Sequence, residues 1–285
     1  MQQAPSDVQS RLTAAGMPRV AAQLAALARP SIRITTTVAD DTAIAAGASK
    51  FGGAPDLPAQ AAWPQWRGVP MTFVAQIRLA DVAPADVAHM LPPTGLLSFF
   101  YDAQQQTYGD KPTDAGGWQV LYISNDAKDL HRQPLPAALP ADARFQACAL
   151  SFATELTLPP QPSLEDPTLK LTSAETKAYE ALLTDFPVKN DQATIHNRML
   201  GYANTLQDDM RLQCQLVTHG VTSISDPRAA ALTPGANEWL LLLQVDSDEH
   251  ANMNWASVGM LYFWIPRDAL AAKDFTRVWA VLQST

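Results

Sequence analysis

The run Asp246-Ser247-Asp248-Glu249-His250 holds the densest chemistry in the chain. Carboxylates at alternate positions, with a hydroxyl between them, can gather on a hard cation such as Ca²⁺. The run departs from an EF-hand loop, with alanine at its sixth position and serine at its twelfth. It reads better as an acidic loop at a strand end, its side chains bonding nearby backbone N–H groups, and no metal is assigned to it. An extended backbone places Asp246 and Asp248 on the same face as Gln244. Like charges so close need a cation, a basic side chain or backbone donors beside them, and the last two are preferred. His196, His219 and His250 could meet Asp208 or Asp209 in space, but no H-E-x-x-H or G-x-S-x-G pattern frames them. No residue is therefore assigned as catalytic, and no cofactor is implied.

Gln76 and Gln244 are each embedded in an apolar stretch, VAQI and LLQV. Burying an amide without partners costs about 1–3 kcal/mol, so each is expected to bond backbone close to a glycine turn. The alternative is that the pair lines one central cleft. Gln76, Gln244, Asp246, Asp248, His219 and Trp63 are the candidates for such a cleft. Gly52 and Gly53, in SKFGGAPDLP, and Gly201, in LGYAN, are expected to be structural turns, with at least one of them at positive φ or in close backbone contact. SKFGGAPDLP lacks the G-x-x-x-x-G-K-[ST] pattern of a phosphate loop, and no clear strand feeds it. Trp239, Tyr262, Phe263, Trp264 and Trp279 read as core residues.

These residues need a scaffold, and the pattern around them predicts one. Glu238–Asp246 and Gly259–Pro266 read as strands joined by the acidic loop, and Met71–Leu79 and Gly95–Asp102 repeat the arrangement. Gly117–Ser124 and Phe275–Leu282 read as the strand that closes each set. In this alignment Phe51-Gly52-Gly53 lies against Leu200-Gly201-Tyr202. Two copies of this length imply duplication rather than a solenoid, which needs at least about three shorter units. Ile32–Val38 and Phe145–Leu158 read as further strands. Ser6–Ala15, Arg19–Leu27 and Pro84–Met90 read as short helices, and Asp268–Lys273 as a helical turn. Thr172-Ser173-Ala174-Glu175 reads as a capping box that opens a helix ending near Phe186-Pro187. Asp208–His219 alternates like a strand but is bounded like a helix, and helix is preferred. Pro159–Pro167 is the linker candidate. The expected fold is α+β and internally duplicated: two antiparallel β-sheet halves related by a pseudo-twofold, with peripheral helices. Residues 1–30 would be N-terminal helices, 31–165 one half and 166–285 the other, within one globular unit.

Composition narrows the function. The chain has 285 residues, 47% hydrophobic and 17% charged, with a formal net charge of −8. Nucleic-acid binding needs clustered Lys and Arg, and no basic run exists here. Cys148 and Cys214 stand far apart with no C-x-x-C, which argues against a disulfide framework and against a thiolate zinc site. No secretory leader pattern opens the sequence, and no apolar run is long enough to span a bilayer. A cytoplasmic protein without membrane contact is expected.

Several segments together carry a family resemblance: SKFGGAPDLP, Trp63-Pro64, PMTFVAQIRLADV, LPPTGLLSFFYD, HNRMLGYANTLQDDM, LQCQLVTHG, WLLLLQVDSD and GMLYFWIPRDALAAKDFTRVW. In order and spacing the chain resembles the YwqG-like family of uncharacterised bacterial proteins over most of residues 49–285. Arg78, and Ala203-Asn204 in place of a proline-containing turn, depart from the family pattern. The resemblance implies an α+β fold with internal duplication, and it implies no particular reaction. The expected function is a non-enzymatic protein-interaction module, a regulatory or immunity-type partner of another protein. The alternative is a small-molecule binder or hydrolase-like enzyme that uses the cleft between the two repeats.

Overall fold

The computed structural model describes residues 5–124, 129–184, 186–187 and 195–284. Its strands in the first part of the chain are β1 (Arg29–Val38), β2 (Lys50–Phe51), β3 (Asp56–Pro58), β4 (Gln65–Trp66) and β5 (Val69–Pro70). They are followed by β6 (Thr72–Arg78), β7 (Leu96–Tyr101), β8 (Trp118–Ile123), β9 (Leu130–Arg132) and β10 (Cys148–Thr157). The chain closes with β11 (Arg198–Met199), β12 (Trp239–Asp246), β13 (Met260–Pro266) and β14 (Trp279–Gln283).

One antiparallel sheet of ten strands dominates, in the order β14-β13-β12-β11-β1-β10-β2-β6-β7-β8. The expectation of two sheet halves is corrected here. β1 and β10 pair along their whole length, from Arg29 opposite Thr157 to Val38 opposite Cys148, and join the strands on either side of them into this one sheet, while β3 with β9 and β4 with β5 form two small separate ladders. Residues 31–165 and 166–285 therefore do not hold separate sheets, since β11 pairs with β1. The sheet rolls up until it is nearly a barrel. Phe99 of β7 meets Phe263 of β13 edge-on across the interior, 5.1 Å between ring centroids. Where the two ends of the sheet approach, Trp118 of β8 lies edge-on to Trp279 of β14 at 4.7 Å, and the Trp118 indole N–H donates to the Val278 carbonyl at 2.9 Å.

β7 and β13 are buried at every position, as are β12 and β6 at nearly every position. Such strands read as continuous apolar runs instead of alternating ones, because both faces are covered. Between β6 and β7 the register slips at Phe73/Ala75, and between β12 and β13 it slips at Leu241/Leu243. An extra residue of this kind bends the strand and sharpens its twist, which suits a sheet that must curl.

The helices lie around the sheet. α1 (Pro5–Ala14) and α2 (Ala21–Ala26) bury Val8, Leu12 and Leu24 against Leu158, Leu169 and Tyr179, in a cluster apart from the main core. α3 (Leu79–Val82) follows β6 directly. The helix expected over Pro84–Met90 is absent; the helical turn comes earlier, as α3, and Pro84, with no N–H to donate, does not continue it. The side chain of Asp86 orders that loop instead, accepting from the Leu91 N–H at 2.8 Å. α4 (Pro162–Glu165) lies inside the expected linker, and Glu165 ties it to Arg29 and Arg211 at 2.6 Å each. The Thr172–Glu175 capping box forms as expected at the start of α5 (Ser173–Thr184). α6 (Met210–Val217) settles the ambiguous segment as a helix, capped by Asp209. α7 (Ala229–Leu232) leads to a 3₁₀ turn before β12, and α8 (Arg267–Ala272) follows β13. The last strand begins later than expected. Phe275–Arg277 is a 3₁₀ turn capped by Asp274, whose carboxylate accepts from the Thr276 N–H, and β14 starts at Trp279.

Candidate functional site

The two glutamines sit at matching stations of the sheet. Lys50 of β2 faces Gln76, and Arg198 of β11 faces Gln244. Gln76 accepts from the Asp56 N–H at 2.8 Å and donates to the Ala48 carbonyl and the Asp56 carboxylate, both at 2.7 Å. Gln244 accepts from the Asn204 N–H at 2.9 Å and donates to the His196 carbonyl and the Asn204 side chain. Lys50 reaches the Ala54 carbonyl and Arg198 the Tyr202 carbonyl, each four residues further on. Both amides thus satisfy the backbone of a glycine turn, as their burial demands.

Counting from Lys50 and Arg198 corrects the expected alignment of the turns by one residue. Gly53 stands against Gly201, at φ of 67° and 68°, and Gly52 stands against Leu200, at 56° and 59°. A Cβ on Gly53 would lie 2.5 Å from the Asp41 carboxylate, and one on Gly201 2.5 Å from the Thr157 hydroxyl. The positive φ expected of the turn glycines is present at Gly52, Gly53 and Gly201.

Around the first turn lies a buried ionic network. Lys50 is 0% exposed and binds Asp41 at 2.7 Å; Arg132 holds Asp56 at 3.0 Å. Burial lowers the Lys50 pKa, with the two aspartates opposing. Burial works to raise the Asp56 pKa, but the Arg132, Gln76 and Gly47 hydrogen bonds and the Lys50 charge hold it below its ordinary value.

The acidic run is built into the second half in the same manner. Asp246 accepts from the His196 N–H at 2.8 Å, so Gln244 and Asp246 grip opposite ends of one residue. Asp248, 0% exposed, accepts from Thr36 at 2.8 Å, the Asn197 amide at 3.0 Å and the His250 N–H at 2.9 Å. The His196 and His250 rings lie 3.5 and 3.2 Å from Asp246 and Asp248. Among the described residues, no group of three or more His, Cys, Asp or Glu is placed to hold a metal ion. Cys148 and Cys214 are free and buried. Burial, helped by Asp248, pushes the Cys148 thiol up to about 11, which keeps it un-ionised and inert.

A concavity of about 1140 Å³ opens where the rolled sheet fails to close, between β8 and the corner that leads into β14. Its aromatic lining comes from Trp118, Trp239 and Trp279, the first residues of β8, β12 and β14, with Tyr122 and Phe275 beside them. Gln119, Val120, Leu121 and Tyr122 all line it. Successive strand residues point to opposite faces, so four in a row place the strand's edge, not one face, along the groove. β8 ends the sheet, and among the described residues its outer edge has no strand partner. The corresponding edge of β14 is covered by the chain itself, with the Leu282 N–H donating to the Tyr108 carbonyl at 3.2 Å. Glu238, Asp268, Asp274, Lys273, Arg277 and His219 supply the charge and polarity. His219 hangs from the end of α6, its ring 2.7 Å from the Gln215 carbonyl.

Of the six cleft candidates, His219 alone lines this groove. The glutamines and aspartates belong to the buried networks just described. Trp63 covers the sheet elsewhere, donating to the Met71 carbonyl at 2.9 Å and packing edge-on to Phe100. Of the tryptophans at strand starts, Trp239 and Trp279 are expected from the sequence to be core, and Trp118 is not singled out there. All three are mostly buried, yet one side of each forms the groove wall.

No curated protein matches the chain. The glycine turns, both glutamine strands and the whole groove fall within residues 49–284, and over that span the sequence matches the family model described as a domain of unknown function, DUF1963, so the chain belongs to that family.

Proposed function

We propose that this chain is a non-enzymatic protein-recognition module, and that a segment of a partner protein lies in the groove between β8 and the corner before β14. The carrying observation is the free edge of β8 along a tryptophan-walled groove of about 1140 Å³. An unpaired edge offers backbone donors and acceptors to an extended segment, and Trp and Tyr walls supply the anchoring contact area on which protein interfaces depend. The net charge of −8 favours a partner of opposite sign. In the described residues no helix is long and apolar enough to cross a membrane, and action in the cytoplasm is part of the proposal, as is membership of the YwqG-like branch of bacterial proteins.

The groove also bears on the duplication. We read β1, β2, β6, β7 and β8 as one copy and β10 to β14 as the other, with the first strand of each copy inserted beside the other copy. What supports this is the strand order, which reads alike from both ends, together with the matched bulges and the matched glutamine networks. The groove then lies between the closing strands of the two copies.

Photocrosslinking tests the functional reading. A benzophenone amino acid at Gln119, which is exposed on β8, is expected to give a protein adduct in the native host. The same group at Ile224, 79% exposed and away from the groove, is expected to give none. Adducts equal at both positions, or none at Gln119, would overturn the proposal. No adduct but a metabolite-dependent rise in melting temperature would favour the small-molecule reading.

A further inference from the structure

A second cavity, about 240 Å³, shares no lining residue with the groove. Ile32 of β1, Leu240 and Leu241 of β12, and Ala85 and Met90 of the loop after α3 give it apolar walls. Val87 lies at its rim and is 40% exposed. Among the described residues, the one carboxylate in its lining is Asp86, only 5% exposed. One oxygen of Asp86 accepts from the Leu91 N–H; the other, Oδ1, is buried and has no hydrogen-bond partner among the described residues. A buried carboxylate oxygen without a donor is costly, and each such orphan in a folded protein needs an explanation.

The cavity's own side chains do not provide the donor. The Ser31 hydroxyl donates to the Met199 carbonyl. Arg29 pairs with Glu165 at 2.6 Å and stacks on Tyr202 at 4.4 Å. Arg267 faces Glu238 at 3.6 Å. The missing partner is a donor from outside, preferably charged, with a body that the apolar walls can hold. We infer that this cavity binds a small molecule carrying a protonated amine on a short apolar chain. The ammonium donates to Asp86 Oδ1, and the chain packs against Ile32, Leu240, Leu241 and Met90. The volume lies below the range of roughly 300–1,000 Å³ usual for drug-sized ligands, which restricts the chain to a few carbons. The inference is independent of the groove and of its partner.

The test uses the full chain with methyl labels on Ile, Leu and Met, titrated near pH 7 with n-butylamine and, separately, with 1-butanol. Butylamine is expected to shift the Ile32, Leu240, Leu241 and Met90 methyl signals saturably. Binding of butanol is expected to be at least roughly tenfold weaker, since charge-assisted hydrogen bonds are the stronger class. Asp86→Asn keeps an acceptor for Leu91 and is expected to weaken butylamine binding by at least the same factor. Ala88→Leu, at an exposed position in the lining, narrows the entrance without touching the core and is expected to weaken it as well. Equal response to amine and alcohol, no saturable response, or undiminished butylamine binding in a folded Asp86→Asn protein would overturn the inference and leave a cavity filled by water.

Discussion

Gln76 and Gln244 each hold a backbone N–H and a backbone carbonyl that the sheet itself cannot reach. Replacing either with leucine keeps the bulk and strands both groups. Each substitution is therefore expected to cost about 3 kcal/mol, read from the midpoint of urea unfolding, since an orphaned buried group costs about 1–3 kcal/mol. Loss of less than about 1 kcal/mol at both sites would mean the turns have other supports. Asp56 adds a pH dependence. Its folded pKa is depressed, so its contribution is full above the unfolded carboxylate value near 4 and is lost as pH falls through the folded value below it. Stability is expected to fall with acid in that window, and Asp56→Asn to flatten the slope there while lowering stability at neutral pH. An unchanged slope would shift the acid sensitivity to other carboxylates.

Among the elements, β1 is central to the sheet although it precedes the residues matched by the family model. It pairs with β10 on one side and with β11 on the other. A chain starting at residue 49 is therefore expected to be insoluble or to lack a cooperative thermal transition, whereas one starting at residue 28 keeps the sheet and loses only the contacts of α1 and α2. A cooperative transition in the shorter chain would contradict this. The strands themselves were legible in the sequence. VAQI, LLSFFY, LLLLQVD and LYFWIP carry the apolar and aromatic runs that doubly covered strands need, and RITTTV carries the β-branched alternation of a strand covered on one face. The capping box and the Asp209 cap were legible because their hydrogen bonds are local. What was not legible is the pairing between distant strands. Nothing in RPSIRITTTV says that it bonds CALSFATELT over its whole length, and two sheets satisfy the same periodicity as one. The orphaned oxygen of Asp86 and the groove were hidden for the same reason, since both arise where segments far apart in sequence close on each other.

For the molecule as a whole, the interleaving of β1 and β10 decides how the chain can be divided. Residues 29–123 and 148–283 each contain five strands of the large sheet, but neither set is contiguous within it, because β1 lies between β10 and β11. A fragment ending at Ala137 leaves β1 without both of its neighbours. A fragment starting at Ala138 leaves β10 unpaired on both sides. Ala137 and Ala138 are exposed, so a break there severs no core contact. Each fragment alone is expected to expose long unpaired strand edges and to aggregate or remain unfolded. The two fragments expressed together are expected to form a stable one-to-one complex with the circular dichroism of the intact chain, because the β1–β10 ladder and both outer flanks can form across the break. Size-exclusion chromatography and thermal melting of the separate and combined fragments check this. A native-like cooperative melt from either fragment by itself would mean that the sheet consists of two independently folding parts, and the interleaved arrangement would then not be what holds the groove's two walls together.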